Sequence, residues 1–279
     1  MSDDVSQSQR PSEGGEPGRP DQELALHGGV ANRGKVVRVG PNVHRPQRPT
    51  SAATHALLRH LENVGFDGAP RFLGVDDRGR EIVTFIEGAV ATGPLPESAL
   101  TDRALSSVAT LLRNYHTAVA GFTPQPYSWP KLPPHQYRGE LVSHNDPNVD
   151  NIVFRDGVAI ALIDFDLASP GSRIWDVAAA ARHWVPLRMD ADIPDSRRSH
   201  VLERFRLFVD AYHLSQAERN RLIDAVRQNH LWSYRTIQVG AEAGEAGYQE
   251  YWLASQNRAD RAYAWYVDNA DALQLAILS

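Results

Sequence analysis

The chain reads as an α+β protein in two lobes, a small antiparallel-sheet N-terminal lobe and a larger, mainly helical C-terminal lobe. Three observations predict this. Between Leu24 and Ile86, short apolar runs alternate with Gly-, Pro- and Asp-rich turns around a single amphipathic stretch. From Thr101 onward, apolar residues recur mainly at helical spacing. Within that second part, Ile152–Phe154 and Val158–Ile163 flank Asp156-Gly157, a strong two-residue signal for a β-hairpin.

Each element follows in order. Residues 1–20 carry almost no apolar side chain beyond Met1 and Val5, the composition of a disordered tail, so folding is expected to begin near Asp21. The first lobe then spans 21–88 and the second 89–279. The runs at Leu24, Lys35–Val39 and Val43–Arg45, with a turn at Gly40-Pro41-Asn42, read as three short strands. Thr50 to Val64 is an amphipathic helix, capped by Thr50 or Ser51, with Ala53, Leu57, Leu61 and Val64 on one face. Phe72–Val75 and Glu81–Ile86 form a hairpin across the turn Asp76–Gly79, and the Gly/Pro-rich stretch Ala91–Pro96 links the lobes. In the second lobe, Leu105, Val108, Leu112, Tyr115 and Val119 mark a helix over Thr101–Val119. Another covers His200–Tyr212. Ser215-Gln216-Ala217-Glu218 is a capping box opening a helix to about Asn229. Trp232, Tyr234, Tyr248, Tyr251, Trp252, Tyr263, Trp265 and Tyr266 are expected mostly in the core.

The chemistry concentrates at the ends of the Asp156-Gly157 hairpin. Asp146 and Asn151 lie in the loop before its first strand, and Asp164 lies just past its second. A hairpin brings its outer ends together, so the three side chains should converge. One free carboxylate beside an Asn/Asp pair of hard oxygen ligands is what magnesium-dependent phosphoryl transfer needs. Taken singly, the parts have plainer readings. The Asn145–Asn151 run suits a polar turn-rich loop, Asp164-Phe165-Asp166 suits a DxD metal site or a loop after a buried strand, and Asp176 suits a helix N-cap.

The spacing of His144, Asp146 and Asn151 resembles the catalytic loop of the protein-kinase-like superfamily, and Asp164 resembles its metal-binding aspartate. Ile163-Asp164-Phe165-Asp166 and the Gly171…Asp176 element are closer to the aminoglycoside phosphotransferase family, over roughly Leu24 to Leu187. That resemblance implies a bilobal protein-kinase-like fold using ATP and Mg2+. It makes Asp146 the catalytic base and Asn151 and Asp164 the metal ligands. Gly28, Gly29 and Asn32 would lie over the nucleotide phosphates, and the backbone of Phe85, Ile86 and Glu87 would bind adenine at the hinge. Arg45 takes the place of the phosphate-binding lysine, with a fork able to donate to phosphate bidentately. Asp176 would brace the catalytic loop, and His144 would be architectural. Two departures stand out. Thr54 or His55 occupies the place of the helix glutamate that pairs with the lysine, and Asn145 and Pro147 depart from the usual His-Gly-Asp loop.

Composition bounds the rest. The absence of cysteine excludes disulfides, thiol catalysis and Cys-based zinc sites. A net charge of −5 without a Lys/Arg block argues against a nucleic-acid partner. No apolar stretch reaches a membrane span and no signal-peptide core is present, so a cytoplasmic enzyme with no membrane partner is expected. The expectation is an ATP-dependent phosphotransferase acting on a small-molecule hydroxyl acceptor, an antibiotic such as an aminoglycoside or a metabolite. After Val185 the chain carries 13 acids against 11 bases, too balanced to demand a polycationic acceptor. Two other readings use the same fold: a non-catalytic nucleotide-binding or immunity-type protein, and a kinase of protein hydroxyls. The lack of an Ala-Pro-Glu element argues against the second. Nothing in the chain signals an oligomeric state.

Overall fold

Five strands in the order β1-β2-β3-β5-β4 form the N-terminal sheet, all pairs antiparallel. They are β1 (Glu23–Ala25), β2 (Val37–Val39), β3 (Asn42–Pro46), β4 (Phe72–Val75) and β5 (Arg80–Thr84), as the alternation of short runs and turns predicts. The computed structural model describes residues 22–26, 34–90 and 95–278, so the tail over 1–20 and the Gly28, Gly29 and Asn32 loop lie outside the described residues. In the register of β3 with β5, Arg45 stands opposite Glu81. Helix α1 (Ser51–Asn63) buries Ala53, Leu57 and Leu61 as expected. Val64 does not join them: it follows the last helical residue and is exposed. Thr50 makes no capping bond, and the Ser51 hydroxyl instead accepts from the Arg48 amide at 2.9 Å.

The C-terminal lobe is built around α3 (Asp102–Val119), preceded by the short α2 (Glu97–Leu100). Thr101 caps α3 by accepting from the Ala104 amide, and Leu105, Val108, Leu112, Tyr115 and Val119 are all buried. Strand β6 (Leu141–Ser143) pairs with β9 (Ser169–Gly171), and β7 (Ile152–Arg155) with β8 (Val158–Leu162). Asp156 and Gly157 both take positive φ (51° and 72°), the left-handed pair that a tight hairpin turn requires. Helices α4 (Arg173–Trp184), α5 (Val201–Tyr212), α6 (Gln216–Glu242), α7 (Ala246–Asp268) and α8 (Ala270–Leu278) complete the lobe. None of the described helices is long and apolar enough to cross a membrane.

Two expectations need correction. Helix α6 does not stop near Asn229 but continues to Glu242. Its continuation is held from outside, with Arg182 of α4 bonded to Asn229 and Ser233, and Lys131 bonded to Thr236. Of the eight C-terminal aromatics, only Trp232 and Tyr266 are buried. Tyr263 and Trp265 are half-buried against the core, Tyr251 is exposed, and Tyr248 packs so closely on Gly240 that a β-carbon there would meet its ring.

Hydrogen bonds at the hinge and along α1 help to join the lobes. Ala89 and Phe154 exchange both backbone hydrogen bonds at 2.8 Å, the Leu162 amide donates to the Gly68 carbonyl at 2.9 Å, and His60 Nε2 donates to the Ala118 carbonyl at 3.0 Å. Gly88 makes the first contact attainable, because a β-carbon there would lie 2.5 Å from Val153 Cγ1 and 2.6 Å from the Phe154 carbonyl oxygen. Gly88→Ala is therefore expected to push the hinge off β7 and destabilise the protein by about 1–3 kcal/mol. Chemical denaturation checks the stability; an unchanged midpoint would show that the hinge relaxes freely.

Candidate active site

Strand β6 delivers the chain into the loop His144–Asn151, and a buried carboxylate holds the start of that loop. Asp176, in the first turn of α4, accepts from the backbone amides of His144 (2.6 Å) and Asn145 (2.7 Å). Its Oδ2 also lies 3.0 Å from His116 Nε2, and His116 Nδ1 lies 2.6 Å from the Tyr212 hydroxyl. A carboxylate can only accept, so His116 Nε2 donates to Asp176. Helices α3, α4 and α5 thus all reach one point. The N-cap alternative for Asp176 falls away, since Ser172 precedes the helix.

Asn145 explains one departure noted in the sequence. Its φ is +66°, a conformation that suits glycine and, next best, asparagine. Its carboxamide adds bonds to the Leu167 carbonyl (2.7 Å) and the Ser169 hydroxyl (2.8 Å) that glycine could not make. Pro147 is anchored too, its carbonyl accepting from Trp184 Nε1 at 3.0 Å. His144 bonds backbone, with Nε2 3.0 Å from the Ile163 carbonyl and Nδ1 accepting from the Asp146 amide at 3.3 Å.

Asp146 is gripped by two carboxamides. Asn148 Nδ2 donates to Oδ1 and Asn151 Nδ2 to Oδ2, each at 3.0 Å. Asn148 was not singled out from the sequence; its Asp-x-Asn spacing from Asp146 is the only signal. Burial, with the charges of Asp164 and Asp150, pushes the Asp146 carboxyl up to about 7, against the pull of those two bonds. Asp164 follows β8 in a left-handed conformation, φ +60°. Burial and neighbouring Asp166 raise its pKa, while Arg45 and Arg48 oppose the rise.

Arg45 is held by carboxylates through Nε and Nη1. It is 8% exposed and enclosed by carboxylates: Nε lies 2.5 Å from Glu81 Oε1, and Nη1 lies 3.1 Å from both Asp164 Oδ1 and Asp166 Oδ1. The Nε–H is not aimed along the Glu81 contact, which is an ion pair rather than a directed hydrogen bond. Burial alone would lower the Arg45 pKa, but Asp166, Asp164 and Glu81 together hold it above its ordinary value. The absent helix glutamate is thereby replaced from the sheet. Glu81 supplies the carboxylate, and His55 of α1, stacked on Phe72, reaches Glu81 Oε2 at 2.5 Å. Sequence reasoning missed Glu81. The available signal was its parity with Val83 on β5, which turns a charged residue toward the interior.

At the hinge, part of the backbone is already committed. The Phe85 amide donates to the Pro41 carbonyl (2.8 Å), and the Glu87 carbonyl accepts from Arg155 (2.8 Å). Arg38 stacks on the Phe85 ring at 3.8 Å and pairs with the Glu87 carboxylate at 2.5 Å. Ile86 keeps both backbone groups out of any such bond among the described residues. The part of the hinge read as a nucleobase contact narrows to the groups around Ile86.

The donor set suits a divalent cation. Asn151 spends its amide nitrogen on Asp146, leaving its carbonyl oxygen as a hard ligand beside Asp164. Burial first, and then neighbouring carboxylates, raise the pKa of Asp146 and Asp164, and a cation beside them would oppose the rise. No group of three His, Cys, Asp or Glu side chains is placed to hold a metal among the described residues. Two protein oxygens with the remaining positions on phosphate and water is the usual Mg2+ arrangement.

Comparisons with known proteins bear on the family and the fold. A model of the phosphotransferase enzyme family matches residues 127–208. The trifolitoxin immunity protein of Rhizobium leguminosarum bv. trifolii is 34% identical over 218 residues, covering 73% of this chain and 79% of that protein. In fold, the chain is similar to the GDP complex of aminoglycoside 2'-phosphotransferase-IIIa, with TM-score 0.61, 13% identity, and 90% and 94% of the two chains covered. It is equally similar to a choline/ethanolamine kinase family protein from Mesorhizobium loti, with TM-score 0.59, 14% identity and 94% of each chain covered. The fold is kinase-like over nearly its whole length, well beyond the Leu24–Leu187 span read from the sequence.

Arg45→Ala is expected to strand Glu81, Asp164 and Asp166 and to destabilise the protein by about 3–5 kcal/mol. Arg45→Lys should recover only part of this, because one ammonium cannot reach carboxylates on two sides as the planar fork does. Urea denaturation of both variants measures it; an Arg45→Ala midpoint equal to wild type would remove Arg45 from the centre of the network.

Proposed function

Because the chain belongs to the phosphotransferase enzyme family, we propose that it transfers the γ-phosphoryl group of ATP to a hydroxyl of a small molecule. The observation that carries this reading is the convergence of Asp146, Asn151 and Asp164 at the open end of the β7–β8 hairpin. In this reading Asp146, held by Asn148 and Asn151, orients the acceptor hydroxyl and takes its proton as the phosphoryl group moves. Asn151 and Asp164 would hold Mg2+. When bound, that ion neutralises charge on the nucleotide phosphates. Arg45 keeps Asp164 in place through their 3.1 Å ion pair, and the Ile86 backbone is free to meet the nucleobase. The carboxyl pKa near 7 belongs to the protein alone; a cation beside Asp164 would lower it and leave Asp146 ready to accept a proton.

The 34% identical immunity protein favours a second reading, a nucleotide-binding protein that turns over no hydroxyl substrate. ATP consumption across aminoglycosides, macrolides, sugars, amino alcohols, nucleosides and hydroxy acids separates the two. Magnesium-dependent ATP binding with no consumption above background would favour the second.

Two expected outcomes follow from the assigned roles. Asp146→Asn should leave nucleotide affinity nearly intact and lower turnover by about two to four decades, the usual contribution of a positioned proton acceptor. Steady-state kinetics test it, and near-normal turnover would remove Asp146 from its role. Asp164→Ala should abolish magnesium-dependent ATP binding and Asn151→Ala should weaken it, since each takes away a hard oxygen ligand. Calorimetry with and without magnesium decides, equal affinity in wild type and Asp164→Ala being the contrary result.

A further inference from the structure

A cavity of about 440 Å3 lies where the two lobes join beside the Leu162–Gly68 bond. That volume falls in the range of about 300–1,000 Å3 usual for small-molecule sites. Its walls come from both lobes: the loop Gly65–Gly68 between α1 and β4, one face of α3, and the start of β8. Ser107, Thr110, Leu111 and Asn114 follow at the three- and four-residue intervals that put side chains on one helix face. None of the described wall residues belongs to the His144–Asn151 loop, the hinge or the Arg45 network.

The walls are tied to one another. The Leu162 amide donates to the Gly68 carbonyl at 2.9 Å and the Ala159 amide to the Ser107 hydroxyl at 2.8 Å, so β8 is fastened to both other walls. A β-carbon at Gly68 would lie 2.5 Å from the Phe66 ring and 2.8 Å from Leu111 Cδ1, so these side chains already press on the loop. In the register of β7 with β8, Phe154 faces Ala159 and Val153 faces Ala161, which leaves Ile160 as the extra residue of a bulge. Three consecutive residues, Val158, Ala159 and Ile160, thereby reach one wall, where a regular strand would send alternate residues to opposite faces. The cavity is preformed.

Its chemistry suits a neutral, flat molecule. Phe66, Leu111, Val158 and Ile160 supply apolar surface, Leu111 buried and the other three half-buried. Among the described wall residues Asp67 alone is ionisable, and its carboxylate is paired with Arg71 at 2.8 Å. Thr110 donates its hydroxyl proton to the Ser106 carbonyl (2.9 Å) and Ser107 its own to the Ala104 carbonyl (2.7 Å), so neither has a proton left to give. Asn114 differs. It is exposed, and its carboxamide has no protein partner among the described residues. A carboxamide offers an acceptor and a donor side by side, and a second primary carboxamide matches that edge with two hydrogen bonds.

We propose that this cavity binds a neutral molecule with an aromatic ring and a primary carboxamide, the ring against Phe66, Leu111 and Ile160 and the amide on Asn114. An anion finds no unpaired cation on these walls, and a cation finds only a carboxylate already paired. The bound molecule touches the N-terminal lobe through Phe66 and the C-terminal lobe through α3 and β8. The site does not depend on the phosphotransfer reading.

The test uses the full chain with benzamide and nicotinamide and three controls. Benzoate and benzamidine have nearly the shape of benzamide with opposite charges, and acetamide lacks the ring. NMR titration of the backbone amides locates binding. Benzamide and nicotinamide should shift the amides of residues 65–68, 107–114 and 158–160, and the controls should not at the same concentration. Asn114→Ala should weaken benzamide binding by about tenfold, the loss of a hydrogen-bonded pair. Asn114→Asp should reverse the preference and bind benzamidine better than benzamide, a change that a merely structural role for Asn114 would not produce. Thr110→Phe, which fills the space, should abolish binding. The proposal is overturned if benzamide causes no shift at millimolar concentration, or if its shifts map to the hinge or the His144–Asn151 loop. It is equally overturned if benzoate or benzamidine binds wild type as well as benzamide does, or if the Asn114 or Thr110 variants bind benzamide as wild type does.

Discussion

One buried guanidinium ties the two lobes together. Arg45 leaves β3 of the N-terminal sheet, meets Glu81 on the neighbouring strand, and reaches Asp164 and Asp166 at the end of the C-terminal hairpin. Taking these charges out of water is unfavourable, and their attraction roughly offsets that rather than adding a large net stability. What the arrangement contributes is position. The observed placement of the lobes lets a single planar fork meet carboxylates from both, and it also fixes Asp164. Arg48 shares the load on Asp166 at 2.7 Å. The same balance explains the helix: with Glu81 already in the sheet, a further carboxylate from α1 would add an uncompensated negative charge, and His55 contributes a hydrogen bond instead.

The second constraint is the bracing of the His144–Asn151 loop. Two left-handed residues, Asn145 and Asp164, sit in conformations that cost of order 1–3 kcal/mol each and persist only where the surroundings over-determine them. At Asn145 those surroundings are Asp176, Leu167 and Ser169; at Asp164 they are Arg45 and the end of β8. The His116–Tyr212 pair behind Asp176 carries the support through to α5. Asp146 is thus held on a rigid base, its two oxygens each bound by a carboxamide of the same loop, and groups held in advance need no reorganisation when charge develops.

Beyond the loop, the proposed reading leaves the acceptor side to α6, α7 and the segment after α4. Here the acids of the region are turned to partners elsewhere: Asp192 to Arg261, Asp195 to Arg197, Asp210 to Arg219 and Asp224 to Tyr137. A nearly even count of acids and bases along the chain therefore becomes an uneven distribution in space.

The local signals were sufficient for much of this. Hairpin chemistry at Asp156-Gly157, helical periodicity over α3 and the Ser215 capping box depend on contacts within a few residues, so they can be read along the chain, and the hairpin in turn implied that Asp146, Asn151 and Asp164 converge. The family resemblance of the same residues extended that to a kinase-like fold. The partners of Arg45 could not be read this way, because Glu81 meets it through strand register and Asp164 through the docking of two lobes, both set by packing between distant segments. Nor could the end of α6, which outruns its own periodicity because α4 and Lys131 hold it. The chain by itself determined which elements form and which chemistry gathers at the hairpin, since neighbouring residues decide both. Only the tertiary structure decided which charges pair, since that depends on distances between residues far apart in sequence.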